Sequence, residues 1–115
     1  MVFKSGETNI ICTNIENSLK FYKDILGFEF VEKEGIAIRL RNGDNKFLLL
    51  PVAKSPRISA PYCTTPEYSL DLLVNSLPDA IAHLKSHNIF PEKQDEYSAI
   101  IRDPDGLVIE VIQTG

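Results

Sequence analysis

One carboxylate, Glu110, stands inside the otherwise apolar run Leu107 to Ile112. Buried unpaired, such a charge costs several kcal/mol. It must therefore face water, a cation or a ligand, and Glu110 is the first candidate for chemistry. The turn before it, Asp103-Pro104-Asp105-Gly106, combines a preset φ, an aspartate that can bond its own backbone, and a glycine for the left-handed position. Period-two alternation groups Val108, Glu110 and Ile112 on one strand face. The same rule groups Ser69, Asp71 and Leu73, and separates Glu7, Asn9 and Ile11 from Ile10 and Cys12. Carboxylates gathered on one surface raise one another's pKa unless a cation or an arginine intervenes. For Glu110 the plain structural alternative is a partner such as Arg39, Arg41 or Arg102. For Glu7 it is a solvated strand end.

Other residue types carry less. His83 and His87 are spaced i, i+4 on a helical pattern, a geometry able to hold a metal. No Glu follows His83 in the HExxH sense, and both lie off the Leu77, Ile81, Leu84 stripe, so they read as surface histidines. Arg39 and Arg41 share a strand face, where one could anchor an anion, although solvated edge charges explain both. Cys12 sits in an apolar run as a small buried hydrophobe, Cys63 lies in a Pro-rich segment, and no CxxC occurs. Phe21, Phe28, Phe30 and Phe47 read mostly as core, with Phe47 also able to line a groove. No Gly-rich phosphate loop and no nucleophile–base constellation appears.

The elements that must position these residues are written twice. Asn42-Gly43-Asp44 lies 61 positions before Asp103-Pro104-Asp105, Arg41 the same distance before Arg102, and Asn14 before Asn75. Two long copies suggest two packed half-domains rather than a solenoid. The first half reads as a strand at Thr8–Thr13 and a helix at Ile15–Leu26, capped by Asn14 or Asn17 and ended by Gly27. Ile15, Leu19, Tyr22 and Leu26 form the helix's inward face. Strands follow at Phe28–Lys33, Ile36–Arg41 and Lys46–Leu50, the last pair joined by an Asn-Gly turn. The Pro-rich stretch from Pro51 to Pro66 reads as a linker. The second half repeats the order, with strands at Ser69–Val74, Ile89–Glu92, Tyr97–Arg102 and Leu107–Gln113. Its helix, Leu77–His87, has Ser76 as N-cap, Asp79 completing a capping box, Pro78 in the first turn and Asn88 at the exit.

Composition sets bounds on partners. At 115 residues, 43% hydrophobic and 24% charged, the chain has the size and balance of one globular domain with a real core. A net charge of −4 disfavours nucleic acid and anionic membranes and mildly favours cationic ligands. No apolar stretch approaches a membrane span, and MVFKSGETNI lacks a signal h-region, so the expected compartment is the cytoplasm.

The stretches Asn14-Ile-Glu-Asn-Ser-Leu-Lys-Phe-Tyr-Lys-Asp-Ile-Leu-Gly-Phe28 and Asp103-Pro-Asp-Gly-Leu-Val-Ile-Glu110, with the duplication, resemble the vicinal oxygen chelate superfamily. That group includes glyoxalase I, extradiol dioxygenases and the bleomycin- and fosfomycin-resistance proteins. The resemblance covers nearly the whole chain. It implies an α+β fold of two β-α-β-β-β modules forming a cupped, open eight-stranded sheet with a central cleft. Module one would span about 7–51, the linker 52–67 and module two 68–114. Metal-dependent members bind a divalent ion with residues from the first and last strand of each module. Those positions fall here on Glu7, on Leu48 or Leu49, on Ser69 and on Glu110. Leu cannot coordinate a cation, and Ser is a weak ligand.

The resemblance therefore implies a cleft lined by Glu7, Asn9, Ser69, Asp71 and Glu110. It binds a small organic molecule, cationic or polar, as drug-binding members do, with no cofactor and no complete metal site. The alternative is a glyoxalase-like lyase or isomerase, or a dioxygenase-related enzyme. In it Glu7, Asp71 and Glu110 hold Mg or Mn, and Glu110 is the candidate catalytic group. Exposed sheet edges and an apolar face large for a lone chain predict a homodimer.

Overall fold

A computed structural model describes all residues, 1–115. The chain forms two compact units, Met1–Pro56 and Arg57–Gly115. In each, four strands and one helical segment follow in the order β-α-β-β-β. The strands form two four-stranded mixed sheets, ordered β1-β4-β3-β2 and β5-β8-β7-β6, as the two-module reading expects.

In the first unit β1 is Thr8–Ile11, β2 Glu29–Glu34, β3 Ala37–Asn42 and β4 Asn45–Leu50. β1 runs parallel to β4, and the other pairs are antiparallel. Asn14 caps the helix, its side chain accepting from the Asn17 backbone N–H at 2.9 Å. The single helix expected over 15–26 is in fact α-helical only at Ile15–Leu19 (α1) and then widens into a π-helical stretch at Lys20–Ile25. Bonds from Leu26 N to Phe21 O (3.0 Å) and from Phe28 N to Tyr22 O (2.9 Å) carry the wider winding. It turns two consecutive aromatics, Phe21 and Tyr22, inward together, which an ordinary 3.6-residue turn does not favour. The inward face is consequently Ser18, Phe21 and Tyr22, while Ile15, Leu19 and Leu26 are only half-buried. Rings of Tyr22, Phe28 and Phe47 stack in sequence at 5.5 and 5.0 Å. Phe47 is thus core and lines no groove. It shares the interior with Ile10, Cys12, Leu40 and Leu49.

In the second unit β5 is Leu70–Val74, α2 Leu77–Ser86, β6 Lys93–Gln94, β7 Ser98–Arg102 and β8 Val108–Gln113. Ser76 accepts from Asp79 N, and Gln113 at the end of β8 accepts from Leu77 N at 2.8 Å, so strand and helix hold each other in register. Leu77, Ile81 and Leu84 are buried, and α2 packs on β8. Asn88, at φ +60, closes the helix as expected. The strand expected at Ile89–Glu92 is displaced to the two residues of β6. Ile89 N is still bonded to Leu84 O at 3.0 Å, and Pro91 has no N–H to offer a ladder. No helix is long and apolar enough to cross a membrane.

Part of the Pro-rich segment read as a linker belongs to this second unit. Arg57 N donates to Asp105 O at 2.9 Å, and Arg102 Nη2 donates to Ala60 O at 2.6 Å. Both fasten the segment to the Asp-Pro-Asp-Gly turn. Within that turn Asp103 Oδ1 accepts from Asp105 N and Leu107 N, each at 2.9 Å, and Gly106 takes φ +89.

Candidate functional site

Alternation along the strands sorts the candidates as expected. Ile10 and Cys12 are buried, whereas Asn9 and Ile11 are exposed and Glu7 is half-buried just before β1 begins. On the second sheet Asp71 and Leu73 are exposed and Glu110 and Ile112 half-buried, opposite a core that includes Ile109, Val111 and Ile101. Val108 is an exception, buried despite sharing the strand face of Glu110. Ser69 lies just outside β5, one residue short of the strand assigned to it from sequence.

The parallel ladders fix which of these residues meet. In the second unit Asp71 and Glu110 are register partners on β5 and β8, with Ile100 of β7 next in the row. In the first unit the same second rung of the ladder is Asn9 and Leu48, with Arg39 of β3 next. Leu48, rather than the buried Leu49, is therefore the counterpart of Glu110. The first unit has leucine where the second has an acid, and arginine where the second has isoleucine.

Each arginine of the chain is engaged, and none of them with Glu110. Arg39 grips Glu7 through Nε and Nη2, at 2.9 and 3.2 Å, while Nη1 reaches Glu32 and Nη2 also reaches Glu34. A bulge at Val31 makes this possible. The β2–β3 register shifts between Phe30 and Glu32, so that Glu29 still pairs with Arg41 while Glu32 lands opposite Arg39. The Arg39 hydrogen bond holds the Glu7 carboxyl below its usual range, and the three carboxylates push Arg39 upward. Arg41 is taken by Glu29. Arg102 binds Glu92 at 2.8 Å and the carbonyls of Gly106 and Ala60. Arg57 lies 3.0 Å from Glu67 Oε1.

The structural partners proposed for Glu110 from sequence are thereby excluded. Its carboxylate makes no hydrogen bond or ion pair, and neither does that of Asp71 beside it. Lys93 lies one strand further out, beyond Ile100. Two unpaired carboxylates side by side on adjacent strands are what a cation or a hydrogen-bond donor would complete.

The donor set implied for a divalent metal does not fit one. Leu48 has no donor atom, Glu7 is committed to Arg39, and the Ser69 hydroxyl is hydrogen-bonded to Tyr62 OH at 2.9 Å. No group of three or more His, Cys, Asp or Glu side chains is placed to hold a metal ion together. Tyr62 and Glu67 are the residues that sequence reasoning missed. Both lie in the Pro-rich stretch, where no periodicity marks a side chain's direction. The Glu67 side chain is only 6% exposed, and neither oxygen is in hydrogen-bond geometry despite the nearby Arg57.

A family model described as "Glyoxalase/Bleomycin resistance protein/Dioxygenase superfamily" matches residues 4–111. No curated protein matches the sequence. Among solved structures, an integron cassette protein from the mobile metagenome of V. cholerae is 21% identical, with TM-score 0.74, over 100% of this chain and 99% of that one. The lactoylglutathione lyase of Agrobacterium tumefaciens is 21% identical, with TM-score 0.68, over 96% and 92%. The trypanothione-dependent glyoxalase I of Leishmania major is 21% identical, with TM-score 0.74, over 93% and 84%. At such identities the likeness is one of fold alone.

Proposed function

The chain belongs to the glyoxalase/bleomycin resistance protein/dioxygenase superfamily, and from that premise we propose that it binds a small organic molecule carrying a cationic or hydrogen-bond-donating group, without the four-ligand metal centre of the metal-dependent members. The observation that carries this reading is the Asp71–Glu110 pair, register partners whose carboxylates lack any protein counter-charge. Glu110 supplies the anion, half-buried among Val108, Ile112 and Ile100, where lower polarity strengthens each polar contact it makes. Asp71 supplies a second acceptor at the exposed edge. Ser69, already oriented by Tyr62 in the same unit, is a neutral hydrogen-bonding group suited to fixing a ligand's orientation. The net charge of −4 favours a cation's approach.

The lyase reading needs Glu7, Asp71 and Glu110 to share a metal. The bidentate Arg39–Glu7 bond weighs against it, since a cation would first have to displace a guanidinium. The test is a thermal-shift screen of small amine- and amidine-bearing organic compounds against the wild type and Glu110→Gln, with Mg, Mn, Zn and Ni run in parallel. Ligands that raise the melting temperature of the wild type but not of Glu110→Gln support the proposal. Tight one-to-one metal binding that disappears on Glu110→Gln overturns it and promotes the enzyme.

A further inference from the structure

His83 lies near the end of α2 and His87 is its C-cap residue, both on a flank of the helix away from its packed stripe. Both are exposed, while Leu77, Ile81 and Leu84 point to the core. Residues four apart stand one above the other on a helix, and the two imidazole rings lie with centroids 5.0 Å apart and planes at 67°. Two imidazoles bound to one ion at metal–nitrogen distances of about 2.0–2.1 Å and a roughly tetrahedral angle place their ring centres about 5 Å apart. The centroid spacing matches that of a chelating pair, and turning the rings from their edge-to-face arrangement would bring one nitrogen of each toward a shared ion.

The electrostatics of this helix end agree. His87 is the C-cap residue, where the unpaired carbonyls of the last turn give a partial negative charge that favours a cation. Asp79 stands one turn before His83 on the same stripe and adds a full negative charge. Lys85 lies between the two histidines in sequence but projects about half a turn away from them. β8, the strand against which α2 packs, faces the helix's other side and sets no charge against the pair.

We propose that His83 and His87 form a two-imidazole site for a borderline transition-metal dication, with Cu²⁺ bound most tightly and Ni²⁺ and Zn²⁺ more weakly. Water completes its coordination. This site is chemically distinct from the oxygen-only face of Asp71 and Glu110, which suits hard or organic cations. It neither needs nor supports the function proposed for that face. It also means that nickel or zinc added to the wild type reports on α2 unless the histidines are accounted for.

Calorimetric titration of the full chain with CuCl₂, NiCl₂, ZnCl₂ and MgCl₂ in a non-chelating buffer tests this, alongside His83→Ala, His87→Ala and Glu110→Gln. Both histidines are exposed, so their removal leaves the fold intact, as circular dichroism would verify. The expected result is one copper ion per chain, with nickel and zinc weaker and magnesium silent at this site. Outer-shell partners alone typically account for about 10–100-fold in metal affinity, so losing either direct ligand should weaken copper by about tenfold or more. Glu110→Gln should leave copper binding unchanged, and acidification should weaken it, because imidazole ligates only when neutral. Copper held equally well by both histidine variants, binding lost in Glu110→Gln alone, or no binding by the wild type at tens of micromolar would each overturn the proposal.

Discussion

Replacing Glu110 by glutamine should make the protein more stable, a direction that separates a ligand-binding carboxylate from a structural one. Adjacent strands lie about 4.8 Å apart, and carboxylates of Asp71 and Glu110 held at that spacing would repel by about 1 kcal/mol even at the dielectric of water. The cation of that row, Lys93, stands two strands from Glu110, too far to cancel a repulsion between neighbours. Asp71→Asn removes the same interaction, so the two gains must not add. Each single variant and the double variant should all sit about 1 kcal/mol above the wild type, with a coupling energy of that same size. In urea this is a rise in midpoint of about half a molar at unchanged m-value. The gain should shrink between low salt and 1 M NaCl, where the screening length falls to about 3 Å. A midpoint that falls in Glu110→Gln would mean that Glu110 has a stabilising partner in the protein, and the reasoning fails. Fully additive, salt-independent gains would refute the pairwise repulsion.

Other expectations follow from the same geometry. The Arg39 guanidinium holds the folded Glu7 carboxyl below the ordinary glutamate range. The stability it contributes is therefore present above the unfolded carboxylate pKa and lost as pH falls through the folded one. Urea midpoints measured from pH 5 downward should drop less steeply in Glu7→Gln than in the wild type. Gly106→Ala should cost about 1–2 kcal/mol from the left-handed backbone alone. The added Cβ would meet Arg57 no closer than 3.6 Å, an ordinary contact, so thermal unfolding of Gly106→Asn, which tolerates that φ better, should show a smaller loss. Arg57→Met keeps the side chain's stem but strands the buried Glu67, and should lower stability by about 1–3 kcal/mol; the further change Glu67→Gln should restore part of it. Exposed edge strands predict a homodimer, which sedimentation at tens of micromolar would detect, and a monomer there would count against it.

The fold was legible because its signals are local and were repeated. Asn14 and Ser76 cap as their types dictate, Asn42-Gly43 joins β3 to β4, and alternation assigns Ile10 and Cys12 inward and Asn9 outward. The failures have physical reasons. The π-helical stretch arises because Phe21 and Tyr22 both need the interior, a tertiary demand that helical periodicity does not encode. The β6 shift follows from an extended helix exit and the missing donor of Pro91. The partners of Glu110 could not be excluded from sequence, because that required knowing where every arginine goes. Arg39 finds Glu32 only through a one-residue bulge at Val31 that no local motif announces.

The two ladders, placed rung against rung, show where the modules have parted in chemistry. Asn9–Leu48–Arg39 and Asp71–Glu110–Ile100 occupy equivalent rows of equivalent sheets. In the first row strand four carries leucine and the neighbouring strand a cation, which is closed off by Glu7, Glu32 and Glu34. That row is an internal ion-pair network. In the second row strand four carries an acid and its neighbour is apolar, so no adjacent residue of the sheet compensates it. A half-buried charge left uncompensated works against stability, and such local conflicts are expected where a surface serves something other than the fold. Of the four positions that the family resemblance implied, only Glu110 therefore carries a carboxylate not committed to another residue, which is why the proposed ligand's opposite charge is assigned to the second sheet.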